Sequence, residues 1–114
     1  MENEFEISSG GDIKKSRFIR KEDIGNGLVV TIKGITKENV APANQKEDRK
    51  VCVHFVELEK PIVLNLINYN SIAQITGSEK SGGWLGKKIE LWYDKTVAFG
   101  GEIKGGIRVR PVKQ

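Results

Sequence analysis

The side chains with most to offer chemically lie in the last third of the chain. In Lys87–Tyr93, Ile89, Leu91 and Tyr93 alternate with Lys88, Glu90 and Trp92. A period of two is the mark of a strand with one buried face, so Trp92 is expected to point outward. Arg108 and Arg110 alternate in the same way with Ile107 and Val109, which predicts a second strand with both guanidinium groups outside. An outward indole beside outward arginines suits a nucleic-acid strand: the ring stacks on a base and the cations meet phosphate. Lys95, Lys104, Lys46, Arg49 and Lys50 fall in or beside two long connections that would frame such a surface. Phe99, in a glycine-rich loop, is a second candidate platform, and His54 joins from a neighbouring strand if the register allows.

Each of these residues also has a purely structural role open to it. Trp92 can pack beneath a loop or the leader. Arg108 and Arg110 can pair across strands with Glu90 and Glu57, a routine device of sheets. Trp84 and Tyr69 read more naturally as anchors for a helix.

Other chemistries find little support. Cys52 and His54 are two residues apart on one strand face, about 7 Å from each other by the strand rise, too far for a nucleophile and its base. One Cys and one His make no zinc set, and Glu57 with Glu59 lacks the further ligands a cation site needs. Phe99-Gly-Gly-Glu-Ile-Lys-Gly-Gly matches neither phosphate-loop pattern and precedes a strand, so it predicts a hairpin loop. Ser81-Gly-Gly is a turn. No catalytic residue, metal or cofactor is expected, and the chain is read as a non-enzyme.

Composition sets the frame for these side chains. The 114 residues fit one domain, and 38% hydrophobic residues suffice for a small core. The net charge is +4, but its distribution is uneven. Residues 1–78 carry 11 of the 19 Lys/Arg and 11 of the 15 Asp/Glu, which leaves 8 against 4 in residues 79–114. A basic third beside a neutral remainder hints at a polyanionic partner. No secretory signal opens the chain and no apolar run approaches the length of a membrane span, so a cytoplasmic protein is expected.

The elements that must position the candidates follow in order. Residues 1–13 are acidic and polar, a leader ahead of a single domain over 14–114. Its Glu2, Glu4 and Glu6 are placed to compete with nucleic acid for the basic face. Residues 17–24 form an irregular or one-turn helical lead-in ending at Gly25-Asn26-Gly27. The first strand is Leu28–Thr36, with a bulge or sharp coil at Gly34. Residues 37–50 are polar and aperiodic, a long loop. Val51–Leu58 and Ile62–Leu64 make a hairpin. Asn68 is a fitting N-cap for a two-turn helix over 69–76 closed by Gly77. Strands Lys87–Tyr93 and Ile107–Val112 complete the chain around a long connection.

Strand, strand, strand, helix, strand, strand is the order of a five-stranded OB-fold-like Greek-key barrel, an all-β class with one short helix between strands three and four. An SH3-like barrel is the alternative, though it does not require that helix. The spread Ile62-Val-Leu-Asn, Asn68, Ile72-Ala, Gly77, Trp84-Leu-Gly-Lys-Lys-Ile-Glu-Leu-Trp and Gly-Ile-Arg-Val-Arg-Pro resembles a family of small phage- and prophage-encoded proteins, over most of residues 14–112. The resemblance implies a mobile-element origin and an OB-like barrel and supplies no catalytic residue. The expected function is single-stranded DNA binding in replication or recombination. A protein-interaction adaptor of the same fold is the other reading.

Overall fold

The computed structural model describes residues 17–99, 101–103 and 105–113. The acidic leader and Lys104 lie outside the described residues. Helix α1 (Lys21–Ile24) leads into β1 (Leu28–Asn39). Then come β2 (Arg49–Phe55), β3 (Ile62–Val63), α2 (Leu66–Thr76) and a 3₁₀ turn at Ser81–Gly83. Strand β4 (Lys88–Asp94), a small hairpin β5 (Ala98–Phe99) and β6 (Glu102–Ile103), and β7 (Gly106–Arg110) follow. Five strands form one antiparallel sheet in the order β3-β2-β1-β4-β7.

Strand β1 is the hinge of this sheet. Its first part, Leu28–Thr31, pairs with β4; its second, from Ile32 to Asn39, pairs with β2. The register shifts between Ile32 and Gly34, so the break falls at the expected glycine. A bulge raises local twist and turns a strand from one partner to the next. Alternate positions then point to one side: Val30, Ile32, Val53, Phe55, Ile89 and Leu91 are fully buried, with Val109, Ile72 and Trp84 beside them.

The expected barrel does not close. β3 and β7 are the two edges of the sheet, with no ladder between them. Only two residues of β3 pair with β2, and Pro61 just before them has no N–H to offer. Two hydrogen bonds reach the seam instead: Ile19 N–H donates to the Pro61 carbonyl (3.0 Å), and Asn68 Nδ2 donates to the Ile107 carbonyl (3.0 Å).

Three local expectations are corrected. The long loop 37–50 is shorter, because β1 runs on to Asn39 and β2 begins at Arg49. Main-chain pairing (Lys37↔Val51, Glu38↔Lys50, Asn39↔Arg49) extends the ribbon where both faces are polar, so no alternation marked it. Second, β2 ends at Phe55 rather than Leu58. The Glu57 carboxylate instead folds back to accept from Thr31 N–H (2.6 Å) and its hydroxyl (2.8 Å). Third, α2 starts a turn early. Asn65 is its cap, accepting from Asn68 N–H at 2.8 Å, and Gly77 ends it at φ 76°. Leu66 and Ile67 in the added turn are exposed, at 72% and 56%, and so blur the buried stripe that sequence spacing relies on.

Candidate nucleic-acid interface

Pairing of β4 with β7 brings the first group of candidates together. Trp92 lies directly opposite Arg108, and Glu90 opposite Arg110. All four share the outer face, since Ile89, Leu91 and Val109 between them are buried. The Arg110 guanidinium sits over the Trp92 ring, 5.3 Å from its centroid. Its Nη2 also donates to Glu90 Oε2 at 2.8 Å. The indole and carboxylate thus hold Arg110 in one pose, while its Nε is buried without a partner among the described residues. That hydrogen bond is the main reason the Glu90 carboxyl titrates below its ordinary value.

A glycine makes room for the pair. A Cβ on Gly27 would stand 2.6 Å from Glu90 Oε2 and 3.1 Å from Arg110 Nη2. Its φ of 137° also disfavours any side chain there. The Gly25-Asn26-Gly27 turn therefore positions the site as well as starting β1.

Arg108 differs from Arg110. It makes no hydrogen bond or ion pair with another described residue. Asp94, whose carboxyl is held low chiefly by the Thr96 hydroxyl and N–H, feels Arg108 only as a weaker, more distant charge. Arg108 is thus the unengaged cation beside Trp92. Set against models of protein families, curated proteins and solved structures, the chain matches none.

The second group of candidates lies across β1, on the ribbon of β1 and β2. His54 Nε2 is 2.9 Å from both Thr36 Oγ1 and Glu38 Oε2. Arg17 approaches the same carboxylate at 3.7 Å and donates to the Asn39 carbonyl. The Thr36 hydroxyl, followed by His54, lowers the Glu38 pKa. Arg49 contacts Glu47 at 3.1 Å and the Lys37 carbonyl at 2.9 Å. Lys50 stands 3.8 Å from Asp48. These cations are matched within their own ribbon. Cys52 is fully buried on it, and burial pushes its thiol pKa up, the opposite of what a nucleophile needs.

The remaining candidates stay apart from both groups. Lys95 is exposed in the turn after β4. Phe99 is in β5, opposite Glu102, and its side chain falls outside the description. Glu57, expected as a partner for the arginines, is taken by Thr31. Trp84 and Tyr69 are anchors: their rings lie 5.7 Å apart, Trp84 Nε1 donates to the Ser78 carbonyl and the Tyr69 hydroxyl to that of Glu79. The described residues hold no helix long and apolar enough to cross a membrane, and no cluster of three or more metal-ligating side chains.

Sequence reasoning passed over the open seam between β3 and β7. Phe18, Ile19, Ile62, Val63, Asn65, Asn68, Gly106, Ile107 and Arg108 line a groove there of about 180 Å3. Asn68, read from sequence as a cap, is 2% exposed within it. The only sequence signal was a second cap-competent asparagine three residues earlier, which freed Asn68 for another task.

Proposed function

We propose that this protein is a non-catalytic nucleic-acid-binding module that prefers single-stranded DNA. The observation that carries this reading is Trp92 opposite Arg108, a half-buried indole beside a cation with no partner among the described residues. Stacking on the ring is sequence-tolerant because every base has a π-face, and Arg108 supplies the phosphate contact. Arg110, fixed by Glu90, stiffens the platform at little further entropic cost.

An OB-like barrel is supported by the strand order and by the helix between β3 and β4, with the seam left open. The usual face of that fold, around its second and third strands, is occupied here by the Arg17–Glu38–His54 network. The ligand therefore follows β4 and β7. The resemblance to phage-encoded proteins adds the setting: replication or recombination of a mobile element.

The test is a salt titration against labelled oligo-dT and duplex DNA. Micromolar or tighter binding to the single strand is expected, weakening with salt and with Trp92→Ala or Arg108→Ala. No binding at low salt overturns the reading and favours an adaptor role.

A further inference from the structure

The outer face of β4 carries a cation that the stacking platform does not use. Lys88 is exposed, while Ile89 and Leu91 are fully buried, so Lys88, Glu90 and Trp92 share one side of the strand. Strand pairing arranges this face in three tiers. Arg108 lies opposite Trp92, Arg110 and Val29 lie on either side of Glu90, and Thr31 lies opposite Lys88.

The tiers differ in what they offer a polyanion. The first has the indole and the unengaged Arg108. The second is closed by the 2.8 Å contact of Arg110 with Glu90, and Val29 beside it is 39% exposed, an apolar surface on which a sugar or base can rest. At the third, Lys88 Nζ donates to Thr31 Oγ1 at 3.0 Å, which leaves two of its three N–H groups for another acceptor. Glu57 does not take them: its two carboxylate oxygens accept from the Thr31 N–H and hydroxyl, and Lys88 acts on it only as a charge at longer range.

The platform has no comparable continuation across the strands. Toward β1 the sheet stops beside Trp92, because pairing begins with Leu28 opposite Leu91. Toward the other side Arg108 is already on the edge strand β7. Lengthwise, Lys88 stands four residues from Trp92, about 13 Å at roughly 3.3 Å per residue. That span accommodates about four nucleotides at 3.4 Å each, and fewer when the strand is drawn out.

We propose that the bound strand runs lengthwise along β4, from the Trp92–Arg108 tier over the neutral Glu90–Arg110 pair, and that Lys88 makes a second phosphate contact at the far end. The proposal rests on the nucleic-acid reading above and adds to it the course of the strand and a further binding residue.

The experiment is a salt titration of full-length protein with labelled oligo-dT, comparing the unaltered chain, Lys88→Met and Lys37→Met. Methionine keeps an unbranched stem and removes the charge. Lys37 is an exposed lysine on the ribbon of β1 and β2, away from β4, and so reports the effect of charge alone. Lys88→Met should lower the salt slope by about 0.7, which is roughly fourfold in affinity at 0.15 M salt. Lys37→Met should leave the slope unchanged. An equal fall in both variants overturns the proposal, since it makes the attraction one of overall charge with no defined course. An unchanged slope in Lys88→Met, with binding still weakened by Trp92→Ala and Arg108→Ala, overturns the course along β4 and leaves the nucleic-acid reading standing. No binding by the unaltered chain overturns both.

Discussion

The two ends of β1 lead to two charged surfaces of opposite character. Toward β2, Arg17, His54, Arg49 and Lys50 each have an acidic neighbour within 4 Å. Toward β4 and β7, Arg110 is matched by Glu90, but Arg108 is left over beside an indole. Both surfaces carry candidate cations in the sequence. Of the candidates on the two surfaces, Arg108 is the one described residue with no carboxylate within ion-pair distance. A phosphate arriving at Arg17, His54, Arg49 or Lys50 would have to compete with the carboxylate already there; at Arg108 it meets no such competitor within ion-pair distance.

That contrast can be broken or sharpened by substitution. Trp92→Ala should have the largest effect on single-strand binding. Stacking is worth about 1–3 kcal/mol per base, so affinity should fall between roughly fivefold and more than a hundredfold, read by fluorescence anisotropy. Arg108→Ala should weaken binding less, and should lower the salt slope by about 0.7, the share of one phosphate on a single strand. If Arg49→Ala and Lys50→Ala change binding as much as Arg108→Ala, the distinction between spent and spare cations is wrong; a change of at most about twofold is expected. His54→Ala should lower the melting temperature while leaving binding in that same narrow range.

Acid provides a test of the matched pairs on both sides. Glu90 is held below its ordinary value of 4.5 by Arg110, and Glu38 by Thr36 and His54. Asp23 is held below 3.8, first by the Arg20 N–H and then, against the cost of burial, by Lys60. A depressed carboxyl pKa contributes stability that is fully present above the unfolded value and is lost as pH falls through the folded one. The melting temperature should therefore hold steady down to about pH 5.5 and fall below about pH 4.5. Glu90→Gln should start lower at neutral pH and fall less steeply in acid.

Much of the fold was legible before the structure. The alternation in Lys87–Tyr93 placed Trp92 outside and Ile89 inside, Gly34 marked the bend in β1, and Gly77 marked the end of α2. What escaped was polar or short. The extension of β1 and β2 has no buried face to announce it. The two-residue β3 is too brief to reveal that the sheet would stay open. Of the candidate residues, Trp92, Arg108 and Arg110 could be assigned to one face from period two alone. That His54, Arg49 and Lys50 sit on a separate ribbon depends on which strand lies on each side of β1, and no local pattern encodes that.

The sequence by itself determined the facing of β4 and β7 and the excess of cations in the last third, because alternation and charge are local properties. Tertiary structure decided the rest. Strand pairing put Glu90 against Arg110 and left Arg108 unmatched, and the cap at Asn65 freed Asn68 for the open seam. Ion pairing and burial depend on neighbours distant in the chain, so the difference between a spent and a spare side chain appears only once the strands have been brought side by side.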